Sequence, residues 1–331
     1  MTLRSFLVKR LVYTVVLIFF VIVLNWIIFL AIPGLQSGYG SLIASSHKVN
    51  AATYDRLNQL YGLNQPIGVR FYDYVKAMLT FQWGVSYVSQ QPVGTEMIQT
   101  GRLVNTLLLI GSSTVLSIII GILLGVVISR RRGSAMDSFW VTSSLASYSM
   151  PTFFLGIVLI MIFAIGLHWL PAGGTFPQAW FSAKPDVWTQ IVVRLQYLIL
   201  PALTLTLVSF GGFLLLTRAT MMEVLSEDYI LTARAKGLSE RVVLLRHAFK
   251  NASLPLITAS ALTVGFILGG AIITETVFNW QGLGFWLYNS ILAKDFPVME
   301  AMFYIIALTV ILANLVSDIL YGIVDPRVRY E

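Results

Sequence analysis

Asp228-Tyr-Ile-Leu-Thr-Ala-Arg-Ala-Lys-Gly-Leu-Ser239 is a polar, basic island between two long apolar stretches, and Leu254-Pro255 marks the return to apolar sequence. Its local chemistry predicts a short helix, a break and a second helix. Ser226 can cap a helix start, and Asp228 puts negative charge into the first turn, where it complements the helix dipole. Arg234 and Lys236 fall in the last turn, where cations oppose the carbonyl end. Gly237 suits the left-handed conformation that stops a helix. Ser239 can cap a second helix running from Glu240 to about Lys250. Roughly 30 residues of such ordered pattern exceed an ordinary connection, so the island is expected to be a built surface.

What flanks the island decides the solvent. The chain has 331 residues, 57% hydrophobic and 11% charged, with mean hydropathy +0.79. Soluble domains carry about a quarter charged residues, so this is a polytopic membrane protein. The net charge of +7 does not indicate nucleic acid, because the basic residues fall in several clusters beside apolar spans. Cysteine is absent, which excludes disulfides, thiolate metal sites and a cysteine nucleophile.

Stretches able to cross about 30 Å of hydrocarbon lie near 11–32, 103–129, 139–166, 192–217, 252–277 and 300–323. The first is too long for the apolar part of a signal peptide and reads as an uncleaved span. The run Arg130-Arg131-Arg132 in a very short connection, with the basic island, sets those segments inside. The expected fold is therefore all-α with six transmembrane helices and both termini in the cytoplasm. A folded extracytoplasmic insertion follows the first helix, and the island is a cytoplasmic loop between helices four and five. The units expected are a first helix at 1–33, the insertion at 34–101, a core at 102–323 with its loop at 219–251, and a cytoplasmic tail at 324–331. Ala51 to Tyr61, closed by Gly62, reads as a short helix within the insertion.

Few residues inside the spans carry chemistry. Gly121-x-x-x-Gly125 and Gly265-x-x-x-Gly269, with Gly270 adjoining, place small residues one turn apart, where helix backbones can approach closely. Pro151 and Pro201 should bend or start helices. Ionisable groups deep in the spans are nearly absent, whereas an ion-coupled carrier needs them. Glu275 at the outer end of the fifth span, and Asn314 with Asp318 four residues apart on one face of the sixth, are the polar interior candidates. Trp83, Trp169, Trp180, Trp188, Trp280 and Trp286 read as interfacial or packing aromatics, with stacking on a substrate as the alternative. There is no Gly-x-x-x-x-Gly-Lys-[Ser/Thr] phosphate loop and no His-Glu-x-x-His, and His47, His168 and His247 are scattered. The chain is not expected to be an enzyme or to hold a cofactor or metal.

The centre of the island, Ala233-Arg234-Ala235-Lys236-Gly237 followed at the right distance by Leu254-Pro255, resembles the coupling loop of the oligopeptide/dipeptide branch of ATP-binding-cassette (ABC) importer permeases. Thr232 stands where the family's name-giving acidic residue would be. Tyr61-Gly-Leu-Asn-Gln-Pro66, Gly84-Val-Ser-Tyr-Val-Ser-Gln-Gln-Pro-Val93, Glu275-Thr-Val-Phe-Asn-Trp-Gln-Gly-Leu-Gly284 and Asp318-Ile-Leu-Tyr-Gly-Ile-Val-Asp-Pro-Arg327 resemble other segments of the same family. Asn279 and Gln281 depart from its usual Ser and Pro.

The resemblance implies a multi-pass permease of the prokaryotic plasma membrane, with Tyr229, Ala233, Arg234, Ala235, Lys236, Gly237, Leu238 and Ser239 coupling it to an ATPase. It implies a second homologous permease chain, two cytoplasmic ABC ATPases that bind ATP and Mg, and an extracytoplasmic solute-binding protein. The substrate class it implies is oligopeptides and dipeptides or short oligosaccharides. The rival is an ion-coupled secondary transporter.

Overall fold

A computed structural model describes residues 3–31, 65–181, 185–266 and 272–324. Helix α1 (Leu3–Trp26) runs on through a π-helical turn at Ile27–Ala31. After residue 65 come α2 (Ile67–Leu79), α3 (Val93–Gln99) and α4 (Arg102–Ser129). Next are α5 (Ala135–Ser149), α6 (Thr152–Leu159) continued by π-helical Ile160–Gly166, and α7 (Val187–Leu225). The island supplies α8 (Asp228–Ala235) and α9 (Glu240–Val242), which leads through π-helical Val243–Ala248 into α10 (Phe249–Phe266). The chain ends with α11 (Ile272–Val277), α12 (Leu283–Ala293) and α13 (Phe296–Val324).

The centre of the bundle is the pair α4 and α7, and small residues set its spacing. A Cβ on Gly121 would lie 2.5 Å from Phe213 Cβ, and one on Gly125 would lie 2.5 Å from Thr217 Cβ. Any side chain there would push the backbones apart. Farther along α7, Gly211 abuts α5, with its absent Cβ only 2.7 Å from the Ser144 carbonyl. Hydroxyls buried along the α4–α7 seam are satisfied by their own helices: Ser117 donates to the Ser113 carbonyl at 2.7 Å, Thr206 to Ala202 at 2.7 Å and Thr217 to Phe213 at 2.6 Å. These hydroxyls are therefore buried without being left unpaired. Helix α1 lies on α13, tied by Asn25 Nδ2 donating to the Glu300 carbonyl at 3.0 Å. Its outer faces expose Leu, Val and Phe side chains, as a lipid-facing helix does.

The expectation of six transmembrane helices does not hold. Among the described residues four helices are long and apolar enough to cross a membrane: Ser5–Leu30, Arg102–Ser129, Val187–Leu225 and Phe296–Ile319. Counting the pair α5 and α6 as one span gives five at most, and that pair is bent by 105°. The bend follows from Pro151, which lacks an N–H and holds Met150 extended at φ −76° and ψ 133°. The fifth expected stretch, 252–277, is described only in part: α10 is followed to Phe266, residues 267–271 lie outside the described set, and α11 begins at Ile272. The even count of six, which put both termini in the cytoplasm and the island between helices four and five, goes with it. Pro201 sits buried inside α7 and does not start it. The Ala51–Tyr61 helix, residues 34–64 of the insertion, His47 and the tail from 325 lie outside the described residues.

Candidate functional site

The island folds as two short helices around a glycine. Glu227, not Ser226, precedes α8 as its cap, because the Ser226 hydroxyl is spent on the Glu223 carbonyl at 2.6 Å. Gly237 has φ +77°, and nothing lies within 4 Å of where its Cβ would be. Its constraint is therefore conformational and not steric. Ser239 is extended and opens α9. Arg234 Nε donates to Glu240 Oε1 at 3.0 Å across the glycine turn, and Asn251 Nδ2 donates to the Tyr229 hydroxyl at 2.7 Å.

One side of the island is anchored. Ile230 and Ala233 pack with Val243, Leu244 and Ala248, with Met221 of α7 and with Val126 of α4. The other side is open: Leu231 is 68% exposed and Leu245 49%, with Tyr229, Leu238 and Val242 also exposed. Arg234, Ala235, Lys236 and Ser239 are exposed beside them. These apolar side chains lie outside the four long apolar helices.

The same end holds an ion pair that sequence reasoning passed over. Asp137, buried at the start of α5, accepts from Arg218 Nε at 2.7 Å and Nη2 at 2.8 Å, and from the Gly133 N–H at 2.9 Å. This bidentate clamp fixes the Arg130–Arg132 turn to α7 just before the island.

About 40 Å away by the length of α4, the other end is a polar knot. Glu275 is buried; it accepts from Thr106 Oγ1 at 2.7 Å and from the Phe285 N–H at 2.9 Å. Thr106 Oγ1 in turn accepts from the Leu283 N–H at 2.7 Å. Asn105 Nδ2 donates to the Gln281 carbonyl at 2.7 Å, its Oδ1 accepts from Arg194 at 2.9 Å, and its own carbonyl accepts from Trp280 Nε1 at 2.9 Å. Gly282 permits this closeness: a Cβ there would collide with the Glu275 carboxylate and Thr106 Oγ1.

Glu275 therefore does not join Asn314 and Asp318. Asp318 pairs with Arg10 of α1 at 2.9 Å, and Asn314 lines the same groove between α1 and α13. Gly265 falls in α10 with its surroundings undescribed, and Gly269 and Gly270 lie outside the described residues. Trp280, Trp286 and Trp83 are buried, whereas Trp169 and Trp188 are exposed. No metal-ligating cluster occurs among the described residues.

Residues 117–330 match the family described as binding-protein-dependent transport system inner membrane component, and residues 3–109 match the N-terminal component of the same systems. The oligopeptide transport system permease protein AppB of Bacillus subtilis strain 168 is 34% identical over 326 residues, covering 98% of this chain and 99% of its own. The glutathione transport system permease protein GsiC of Escherichia coli K12 is 36% identical over 327 residues, covering 99% of each.

Proposed function

The chain belongs to the family of inner-membrane components of binding-protein-dependent transport systems, and on that premise we propose what it carries and how it is driven. It is a permease subunit of a multi-subunit ABC importer in a prokaryotic plasma membrane. Its cargo is short peptides. Both relatives carry peptide cargo in their names, since glutathione is itself a tripeptide; nothing favours the oligosaccharide alternative.

The subunits are this chain, a second homologous permease, two ATPases that bind ATP and Mg, and an extracytoplasmic solute-binding protein. The island faces the cytoplasm together with the Arg130–Arg132 turn, in line with the basic bias of inner loops. Residues Tyr229 to Ser239 form the joint to an ATPase. The observation that carries this is the uncovered apolar side of α8 and α9, outside the long spans and anchored from behind. Exposed apolar surface held on a rigid support marks a protein contact. Closure of the ATPases would press on α8, and α7, packed against it, would pass the movement into the α4–α7 pair.

The test is Gly237→Asp in the purified complex. A side chain at φ +77° costs about 1 kcal/mol or more, and the charge sits in the contact. The expected outcome is normal membrane insertion with the ATPase lost, or retained without substrate-stimulated hydrolysis. Normal ATPase retention, hydrolysis and uptake would remove the island from the energy path.

A further inference from the structure

A cavity of about 470 Å³ opens at the end of the bundle away from the island, between the 84–92 turn, α3, the first turn of α4 and α12. Its wall carries opposite charges side by side: Arg102 Nη2 lies 3.2 Å from Glu96 Oε1. Both side chains reach the cavity, being 22% and 11% exposed.

This pair differs in kind from Asp137–Arg218. That one is bidentate at 2.7 and 2.8 Å, whereas Arg102 and Glu96 share a single contact longer than the usual charge-assisted bond. Arg102 Nε is spent on Thr100 Oγ1 at 3.1 Å, and Nη1 has no partner among the described residues. The guanidinium is nevertheless held in place, 4.6 Å over the Trp286 ring. Glu96 Oε2 accepts from Ser89 Oγ at 2.5 Å, which fixes the carboxylate while leaving further lone pairs.

The third charge on the wall is already used. Asp295 accepts from Ser86 Oγ at 2.5 Å and the Tyr87 N–H at 2.9 Å. The Asn289 amide nitrogen is turned back to the Phe285 carbonyl at 2.8 Å, so its oxygen is the atom left to accept.

A simple anion at Arg102 would meet Glu96, and a simple cation at Glu96 would meet Arg102. A ligand carrying both signs on neighbouring atoms satisfies both. We propose that this cavity binds an α-amino acid zwitterion, with the carboxylate on Arg102 and the ammonium on Glu96, as it occurs in a free amino acid or at the γ-glutamyl end of a γ-linked peptide. The proposal rests on the reading of the chain as a peptide permease and makes this cavity a receiving site at the mouth of the pathway. An ordinary α-linked peptide separates its ammonium and carboxylate to opposite ends and fits less well.

The experiment uses the complete importer in lipid nanodiscs, without the solute-binding protein, and measures equilibrium binding of radiolabelled glutathione. Its α-linked isomer Glu-Cys-Gly and N-acetylglutathione compete. Glutathione should bind at least about tenfold more tightly than either, and Glu96→Gln and Arg102→Gln should each weaken it about tenfold or more. Asn289→Trp fills the cavity from an exposed position and should abolish binding with the melting temperature unchanged.

Equal binding of the α-linked isomer, or undiminished binding in Asn289→Trp, overturns the proposal. So does loss of solute-binding-protein docking in Asn289→Trp with glutathione binding intact, since the cavity is then a protein contact. Peptide uptake by the parent complex is measured alongside. Uptake without binding at the cavity sinks only this proposal; binding without any peptide uptake sinks the underlying reading.

Discussion

The two ends of the bundle are finished in opposite ways. At the end of Asn105, Glu275 and Gly282, each buried polar group in the knot finds its partner within the chain, across some 170 residues of sequence. At the island end, packing is local and apolar, and a row of apolar side chains is left uncovered. One end is tied together by polar contacts across the chain; the other leaves apolar side chains uncovered. The first holds α4, α11 and α12 together, and the proposed joint to an ATPase lies at the second.

Removing Glu275 should produce the largest loss of stability. Glu275→Ala strips the acceptor from Thr106 Oγ1 and the Phe285 N–H and leaves a void where the carboxylate packed against Gly282. Buried donors left unpaired cost about 1–3 kcal/mol each, so a drop of about 3 kcal/mol is expected, read as a lower melting temperature of the detergent-solubilised complex. ATPase retention should survive in whatever folds. An unchanged melting temperature would mean that the knot is not what closes this end.

Asp137→Ala should come next. It leaves Arg218 without its bidentate partner, but Arg218 is 25% exposed and can turn to water. The penalty should therefore fall below the 3–5 kcal/mol typical of a broken buried pair, at about 2 kcal/mol. Because the clamp fixes the Arg130–Arg132 turn to α7 just before the island, substrate-stimulated ATP hydrolysis should fall together with stability. A stable variant with normal stimulation would show that the clamp does not position the island. Double substitution with Arg218→Met should recover part of the stability, since the stranded charge is then gone.

The same contrast explains what the sequence makes legible. The island is readable because its signals are local: Gly237, Asp228 and Ser239 act on neighbours within a turn or two. Even there the cap slips by one residue, since Ser226 prefers the carbonyl behind it. The chain's similarity to transport permeases extends that local reading to the whole molecule. The knot is not readable, because nothing in Asn105 or Thr106 announces a partner beyond residue 270. Asp137 is hidden for the same reason, with Arg218 lying 81 residues away. The six-span count fails because a hydropathy window measures composition and not direction. The stretch 139–166 is apolar throughout, yet Pro151 turns it by 105°.

Leu231→Ser should have the smallest effect on stability and the most informative one on assembly. Leu231 points away from the anchored side of α8 and is 68% exposed, so the folded chain loses almost no buried surface with it. Surface substitutions of this kind stay within about 0.5 kcal/mol. An apolar anchor in a protein contact is different, because burying a leucine against a partner contributes about 1.5–3 kcal/mol, or roughly 10- to 150-fold in affinity. ATPase retention during purification should therefore fall by at least tenfold while the melting temperature of the permease stays put. Ile230→Ser, one residue away, should do the reverse: Ile230 is buried among Met221, Val243 and Leu244, so the island itself should loosen. Should both variants keep the ATPase equally well, the exposed row is not an interface, and the two ends do not differ in the way their packing implies.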